Sequence, residues 1–113
     1  MIVGLGVDVC AIDRLAEPRR RLVERLFTPS EQDGSAATLA GRFAAKEALA
    51  KALGAPGGLV WTDCVVGRLE SGQPTIEVLG TVRRRADELG VTSIHLSITH
   101  DAGVAVAVVV CER

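Results

Sequence analysis

A helix with one misplaced charge is the feature that most constrains this chain. Residues 42–54, RFAAKEALAKALG, are rich in alanine and leucine and stop at a glycine, a pattern typical of a helix. At about 100° per residue, Glu47 lies about 40° from Phe43, at the border of the apolar stripe. That stripe consists of Leu39, Phe43, Ala50 and Leu53. A carboxylate at the edge of a core needs a partner, namely a cation, a metal ion or a cluster of hydrogen bonds.

The composition predicts one globular domain spanning residues 1–113. Of the 113 residues, 48% are hydrophobic and only 3% aromatic, so we expect a single aliphatic core. The formal net charge of −1 argues against a dedicated nucleic-acid binder. Arginines nevertheless cluster, at Arg14, Arg19, Arg20, Arg21 and Arg25 and again at 83–85. Such a patch indicates either an acidic partner or a solvated helix face, and charge alone leaves both open.

The cysteines and the first residues favour a cytoplasmic protein. Cys10, Cys64 and Cys111 are an odd number without CxxC spacing, and each lies in an apolar, strand-like run. They indicate reduced core residues rather than a metal site or a nucleophile. Residues 1–3 enter a strand without a charged leader, and no apolar run approaches the ~20 residues of a membrane span. We therefore expect a cytoplasmic location and no membrane association.

Hydrophobic periodicity predicts an α+β fold with a largely antiparallel sheet, in the order β-α-α-ββ-α-ββ. In strand 2–10 the odd-numbered residues after Met1 are apolar, and we expect them to form the packed face. The other face is kept small by glycines and carries Asp8, which indicates close approach by a ligand or another backbone. The remaining predicted elements are a turn or short helix at 12–17 that ends at Pro18, helices at 19–27, from Ser35 or Thr38 to Gly54 and at 81–89, and strands at 59–69, 75–79, 91–99 and 104–111.

Three polar residues stand out against this apolar frame: Asp8, Glu47 and His100. Two carboxylates combined with bound phosphates suit Mg²⁺, which keeps several waters and rarely takes an all-protein cage. Lys46 and Lys51, on the same helix as Glu47, would be useful near phosphates.

Structural explanations exist for each of these residues. Asp8 is able to cap the following turn, and Glu47 with Lys51 forms an i,i+4 helix pair, worth only a few tenths of a kcal/mol. His100 and Asp101 are typical turn residues. From spacing alone, these structural explanations outweigh a functional one at every site.

The joint pattern changes that balance, because matching segments follow one another along nearly the whole chain. They are Gly6-Val7-Asp8 with Arg14, residues 39–48 continuing through 51–54, Trp61-Thr62-Asp63, Ser71-Gly72-Gln73-Pro74, and Ser97-Ile98-Thr99-His100-Asp101. The helix motif Phe-x-x-Lys-Glu-Ala-x-x-Lys-Ala is specific when Gly-x-Asp precedes it. With both, the chain resembles the holo-(acyl-carrier-protein) synthases, small 4′-phosphopantetheinyl transferases, and is similar to actinobacterial members. It departs from many members in its shorter loop at 31–38.

The resemblance implies a site for Mg²⁺ and coenzyme A. Asp8 and Glu47 would ligate the ion together with pyrophosphate oxygens of coenzyme A. We expect Glu47, His100 and Lys51 to act in catalysis. The residues implied to contact or border coenzyme A are Lys46, Lys51, Gly54, Ser97, Thr99 and His100.

The resemblance also implies two protein partners. Arg14, which lies in a matched motif, would face an acidic acyl carrier protein, and Arg21 and Arg25 join it by charge and helical position. A second copy of the chain is implied as well, since the family forms homotrimers with active sites between subunits. Asp8 and Glu47 would then be set against a neighbour's strand.

The implied reaction belongs to fatty acid biosynthesis. A serine of the apo carrier protein attacks the β-phosphorus of coenzyme A, and 3′,5′-ADP leaves while Mg²⁺ offsets charge. The base is Glu47 acting through a metal-bound water, His100 or Asp101, and our hypothesis favours Glu47 or a metal-bound water. The alternatives are the same transfer to polyketide or peptide synthase carriers, a non-catalytic coenzyme A-binding trimer, and a carrier-protein adaptor that uses only the arginine face.

Overall fold

The computed structural model describes residues 1–17 and 20–113. The strands are β1 (Ile2–Ala11), β2 (Cys64–Arg68), β3 (Pro74–Val78), β4 (Ser93–Asp101) and β5 (Val104–Glu112). The helices are α1 (Arg20–Leu26), α2 (Ala36–Ala52) and α3 (Gly80–Glu88), with 3₁₀ turns at Ile12–Leu15, Pro29–Glu31 and Trp61–Asp63. The predictions that fall on Pro18 and Arg19 lie outside the described residues.

A three-stranded antiparallel sheet forms the base on which the long helix packs. β5 lies between β1 and β4, while β2 pairs with β3 in a separate hairpin. In the register, Asp8 on β1 is opposite Ala107 on β5, which is opposite Ile98 on β4. α2 covers one face of this sheet, and its buried side chains share one core with β1 and β5. The predicted α+β class with antiparallel strands is confirmed.

The small face of β1 is the face that packs against α2. A Cβ atom at Gly4 would lie 1.8 Å from the carbonyl oxygen of Ala52, and one at Gly6 would lie 1.8 Å from that of Ala48. Glycine alone permits such an approach of strand and helix backbones. The predicted close approach of another backbone to β1 is therefore confirmed. It brings α2 over the face that carries Asp8.

The apolar face of β1 points outward in a single chain, so the prediction that it is the packed face is wrong. Leu5, Val7 and Val9 are 64%, 54% and 59% exposed. We call the surface to which they belong the open sheet face; it consists of Leu5, Val7, Val9, Val106, Val108, Val110, His95, Ser97 and Thr99. The reason for the reversal is the glycines, since the helix packs where the strand has no side chains. A contiguous apolar surface of this kind indicates an interaction site.

α2 begins and ends at the predicted positions. Of the two predicted caps, Ser35 is the N-cap, and its hydroxyl accepts a hydrogen bond from the Thr38 amide at 3.2 Å. After the last turn, Gly54 has a φ of +87°, the left-handed conformation that ends helices. The helix is buried on nearly every side, by the sheet below and by β2 and the first 3₁₀ turn around it.

Residues 59–63 are a loop and a 3₁₀ turn instead of the predicted start of β2. The backbone here bonds to the first turn of α3 rather than to a neighbouring strand. The Val60 amide donates to Thr81 Oγ1 at 3.0 Å, and Asp63 Oδ2 accepts from the Thr81 amide at 2.8 Å. The partner of these contacts, Thr81, lies about 20 residues later along the chain. Local periodicity does not encode contacts at that separation.

The hairpin between β4 and β5 is tighter than the predicted loop at 100–103. Asp101 still pairs with Val104, which leaves a two-residue turn. Its residues, Ala102 and Gly103, have φ values of 52° and 80°, as a primed hairpin turn requires.

Among the described residues, none of the helices has the length and apolar character needed to cross a bilayer.

Candidate active site

Asp8 and Lys51 meet where β1 and α2 cross. The Lys51 ammonium donates to Asp8 Oδ1 at 3.1 Å and to the Val7 carbonyl oxygen at 3.0 Å. The Lys51 side chain is 51% exposed and the Asp8 side chain 16%. The pair is thus anchored on the strand side and open to a ligand on the lysine side.

Glu47 belongs to the same cluster, one helical turn before Lys51. Burial is the main cause that raises the pKa of Glu47, and the negative charge of Asp8 raises it further. The positive charges of Lys51 and Arg14 act in the opposite direction on this pKa. The two predicted metal ligands therefore lie close enough to influence each other, and two cations act on the same site.

The donor set of this cluster fits a hard divalent cation. Mg²⁺ favours one or two carboxylates completed by waters and phosphate oxygens. Asp8 and Glu47 supply two carboxylates, and across residues 1–17 and 20–113 no group of three or more His, Cys, Asp or Glu side chains could hold a metal alone. The residues present therefore suit a magnesium ion that takes its other ligands from water and a phosphate-bearing substrate.

Lys46 lies outside this cluster, and its predicted phosphate contact is wrong. Its ammonium donates to the Leu26 carbonyl at 2.8 Å, to Glu31 Oε1 at 2.8 Å and to the Trp61 carbonyl at 3.1 Å. An ammonium group has three N–H donors, so none remains for a phosphate. The cause is helical geometry, because consecutive side chains point about 100° apart. Glu47 therefore turns toward β1 while Lys46 turns into the core.

A polar cavity of about 280 Å³ lies beside β4. Its lining comes from the first half of α2, from β2 with the loop after it, and from β4, and it includes Arg42, Arg68 and His100. Ser97 and Thr99 lie on the opposite face of β4, in the open sheet face, because side chains alternate along a strand. Within a single chain, Ser97 and Thr99 therefore do not share the cavity with His100, and their contact with coenzyme A stays a prediction.

α2 separates this cavity from the Asp8 cluster. Near the start of the helix, a Cβ at Gly41 would lie 3.0 Å from Ile98 on β4, whereas Ala48 further along approaches Gly6 on β1. The helix thus crosses the sheet from β4 to β1, with the cavity at one side and Asp8 at the other. Within one chain, the helix therefore stands between the cavity and the Asp8 cluster.

An apolar groove of about 160 Å³ lies between α1 and α2, and arginines stand at its rim. Its rim carries Arg14 and Arg25, and its walls include Leu22, Leu26, Phe43 and Trp61. The Arg14 guanidinium carbon is 5.4 Å from the centroid of the Phe43 ring, a cation–π distance. Arg21 is exposed on α1 but does not line the groove. Two of the three predicted carrier-contacting arginines are therefore brought together.

Gly54 follows Lys51 at the exposed end of α2. Its amide donates to the Lys51 carbonyl at 3.0 Å, and the next amide, of Ala55, donates to the Ala50 carbonyl at 2.7 Å. These bonds close the helix end. The predicted contact of Gly54 with coenzyme A stays a prediction.

Sequence reasoning assigned no site role to several residues of this region, although Trp61 and Arg42 lie in its matched segments. Trp61, the single tryptophan, borders both the groove and an apolar cavity of about 200 Å³ next to α3. Arg42 lines the polar cavity, and its position in the matched helix motif was a usable signal. Glu31 anchors Lys46, and its signal was the Thr-x-x-Glu spacing from Thr28, a capping box.

This fold and cluster of residues correspond to a known class of transferases. The sequence model of the 4′-phosphopantetheinyl transferase superfamily matches residues 4–109. The chain therefore belongs to this superfamily. The holo-[acyl-carrier-protein] synthase of Beutenbergia cavernae is 56% identical to it, and the match covers 100% of both chains.

Solved structures of holo-[acyl-carrier-protein] synthases share the fold. The enzyme from Neisseria meningitidis superposes with a TM-score of 0.86 at 30% identity, covering 100% of both chains. The enzyme from Helicobacter pylori, solved in complex with coenzyme A, gives a TM-score of 0.81 at 33% identity, covering 96% of this chain and 99% of that one. The predicted resemblance to holo-(acyl-carrier-protein) synthases and the predicted phosphopantetheinyl transferase class are confirmed.

Proposed function

We propose that this chain transfers the 4′-phosphopantetheine group from coenzyme A to a serine of an apo acyl carrier protein, with Mg²⁺ as cofactor and 3′,5′-ADP as product. The observation that carries the proposal is the cluster of Asp8, Glu47 and Lys51, which offers two carboxylates to a cation and a half-exposed ammonium to a phosphate. The Helicobacter pylori relative binds coenzyme A, which supplies the phosphates that such a cluster needs. A cytoplasmic location and a role in fatty acid biosynthesis belong to the same proposal.

The reaction is a displacement at phosphorus. The carrier serine oxygen forms a bond to the β-phosphorus of coenzyme A, the bond from that phosphorus to the bridging oxygen breaks, and 3′,5′-ADP leaves with the electron pair. When bound, Mg²⁺ supplies positive charge against the diphosphate oxygens. Asp8 and Glu47 would hold the ion, and Lys51 would donate to a phosphate oxygen, so that the diphosphate is oriented toward the serine.

Glu47, or a water that the ion beside it would hold, is our candidate for the base that accepts the serine proton. It lies in the cluster with Asp8, where the diphosphate would be held. His100 lies at the cavity on the other side of α2. Asp101 is in an exposed turn, where its Oδ1 accepts a hydrogen bond from the Ala102 amide at 2.8 Å.

The polar cavity beside β4 suits the adenosine end of coenzyme A. Arg42 and Arg68 bring positive charge to its lining, which favours a phosphorylated ribose, and His100 adds a ring nitrogen. Because α2 separates this cavity from Asp8, a coenzyme A molecule that uses both would bridge two copies of the chain. The proposal therefore includes an active site shared between subunits.

We propose a homotrimer in which the open sheet face packs against a neighbouring copy. The exposed side chains of Leu5 and Val7 support this arrangement, because burying them is favourable. Asp8 lies on the other face of the same edge strand, so a neighbour that reaches around the edge of β1 would border the metal cluster. Ser97 and Thr99, which lie on the open sheet face, would then be near the boundary between copies.

The groove between α1 and α2 suits the carrier protein. Its apolar walls would receive an apolar side chain of the partner, and Arg14 and Arg25 at the rim would face acidic residues. The groove shares α2 with Glu47, since Phe43 lies one turn before that carboxylate. A carrier docked there would present its serine on the side of the metal cluster.

Intact-mass spectrometry tests the proposed function. The protein is incubated with an apo acyl carrier protein, coenzyme A and Mg²⁺, with an EDTA control. We expect a gain of one phosphopantetheinyl group on the carrier serine, lost in EDTA and reduced at least about 100-fold in rate by Glu47→Gln. Glu77→Gln, on the exposed side of β3, is the matched control and should act like the wild type.

The other outcomes separate the alternatives. No mass gain with coenzyme A still bound would support a binding-only protein. No gain and no binding would overturn the proposed function. A Glu47→Gln variant with full activity at saturating Mg²⁺ would remove Glu47 as the base.

A further inference from the structure

Lys51 bonds to the same carboxylate that the proposed function gives to the divalent cation. Its Nζ lies 3.1 Å from Asp8 Oδ1. We infer that Lys51 and the divalent cation are alternative partners of Asp8, and that Lys51 moves to a phosphate of coenzyme A when the cation takes its place. The inference rests on the proposed function and concerns how coenzyme A and the ion load the site.

Charge and distance make the two partners competitors. A magnesium ion sits about 2.0–2.1 Å from a carboxylate oxygen, so an ion on Asp8 would come within a few ångströms of the Lys51 ammonium. Two positive charges at that separation repel each other. Only 16% of the Asp8 side chain is exposed, which limits the room for both partners on this carboxylate.

The surroundings of Lys51 allow its ammonium to move away from Asp8. Half of its side chain is exposed, and a four-carbon stem lets the ammonium swing into solvent. Its second acceptor, the Val7 carbonyl oxygen, is neutral and holds it only by a hydrogen bond at 3.0 Å. By contrast, the guanidinium of Arg14, the other cation that acts on Glu47, lies against the Phe43 ring.

The exchange predicts cooperative loading. Without coenzyme A, the cation has to displace an ammonium that gains only water in return. With coenzyme A, the displaced ammonium of Lys51 gains an anionic phosphate, so the ion binds more tightly. Lys51 therefore weakens binding of the ion alone and strengthens binding of the ion together with coenzyme A.

Electron paramagnetic resonance of free Mn²⁺ tests this, because it measures ion binding without turnover. Lys51→Met keeps the stem and removes the charge, and Lys51→Arg keeps the charge. Without coenzyme A, we expect Lys51→Met to bind Mn²⁺ roughly twofold to fivefold more tightly than the wild type, the strength of an ion pair that is partly exposed. Lys51→Arg should bind like the wild type. On adding coenzyme A, the wild type should gain more affinity for Mn²⁺ than Lys51→Met gains.

Each remaining outcome is decisive. Equal or weaker Mn²⁺ binding by Lys51→Met without coenzyme A would overturn the exchange, while Mn²⁺ binding and transfer by the wild type would still support the proposed function. No Mn²⁺ binding by any of the proteins, with or without coenzyme A, would overturn both the exchange and the proposed metal site. Circular dichroism checks the fold, and Lys51→Gln serves as a second neutral variant if Lys51→Met does not fold.

Discussion

Lys46 and Glu31 form an ion pair inside the core, with Nζ 2.8 Å from Oε1 and side chains that are 1% and 0% exposed. The carboxylate also accepts from the Thr28 amide at 2.8 Å and from the Val66 amide at 2.7 Å. Across the described part of the chain, no buried side-chain nitrogen or oxygen lacks a hydrogen-bond partner. The pair thus ties α2, the helix of Glu47, to β2 and to the segment after α1, next to the groove between α1 and α2.

Each single substitution in this pair should strongly lower the free energy of unfolding, while the two substitutions together should cost less than the sum of their separate effects. Glu31→Gln and Lys46→Met should each lower the free energy of unfolding by about 3–5 kcal/mol, because each leaves a buried charge unpaired. The double variant should lose less than the sum of the two. Urea unfolding of the four proteins measures the coupling, and strictly additive losses would contradict a buried pair.

Gly6→Ala should disturb the contact between β1 and α2. The added Cβ would lie 1.8 Å from the Ala48 carbonyl oxygen, so the strand or the helix has to shift. We expect a loss of stability of about 1–3 kcal/mol or more, as in overpacked cores. Gly57→Ala is the matched control, since a Cβ there meets nothing within 4 Å. Equal thermal unfolding of Gly6→Ala and the control would contradict the close approach.

The stability that Asp63 contributes should depend on pH. Hydrogen bonds from the Thr81 hydroxyl at 2.7 Å and amide at 2.8 Å lower the pKa of Asp63 from its usual 3.8, and they cap the start of α3. Because the folded-state pKa is the lower one, the stabilisation is present above the unfolded-state pKa and is lost as pH falls through the folded-state pKa.

Asp63→Ala should therefore cost about 1 kcal/mol at neutral pH, the usual cost of a lost helix cap. The gap to the wild type should narrow as the pH falls below about 4. Urea unfolding of both proteins across this range measures the gap. A gap that stays constant down to strongly acidic pH would show that the ionised carboxylate is not the stabilising form.

Val7→Asp should dissociate the proposed trimer. It places a charge midway along β1, at one edge of the open sheet face, where burial would leave it unpaired. Leu69→Asp changes a similarly exposed apolar residue outside that face and should not alter the assembly. Size-exclusion chromatography with light scattering gives the mass of each protein at micromolar concentration. A wild type that is already monomeric would overturn the trimer, and an assembled Val7→Asp would place the contact elsewhere.

Arg25→Ala should weaken binding of the carrier protein and leave coenzyme A binding unchanged. We expect the KM for the carrier to rise roughly threefold to tenfold, with a smaller effect at high salt, because rim charges act mainly through long-range attraction. Arg84→Ala, an exposed arginine on α3, is the control. Equal changes in the KM values of both substrates would argue against the groove as the docking site.

The parts of the fold that local chemistry encodes were predictable. Ser35 and Gly54 bound α2 because a hydroxyl N-cap and a left-handed glycine act within a few residues of the helix ends. The strand order along the chain followed from periodicity. The 3₁₀ turn at Trp61–Asp63 was missed because its hydrogen bonds go to Thr81, far along the chain.

The sequence by itself determined the order of the elements, the extent of α2 and the selection of Asp8 and Glu47 as candidate metal ligands. All of these rest on spacing and on a family motif. Only the tertiary structure decided which face of β1 is packed, which groups the Lys46 ammonium contacts and which side of α2 holds His100. The periodicity of a sequence segment indicates which residues share a face, but not which part of the protein covers that face. Here the two glycines admitted the helix backbone, and a glutamate 15 positions before Lys46 drew its ammonium into the core.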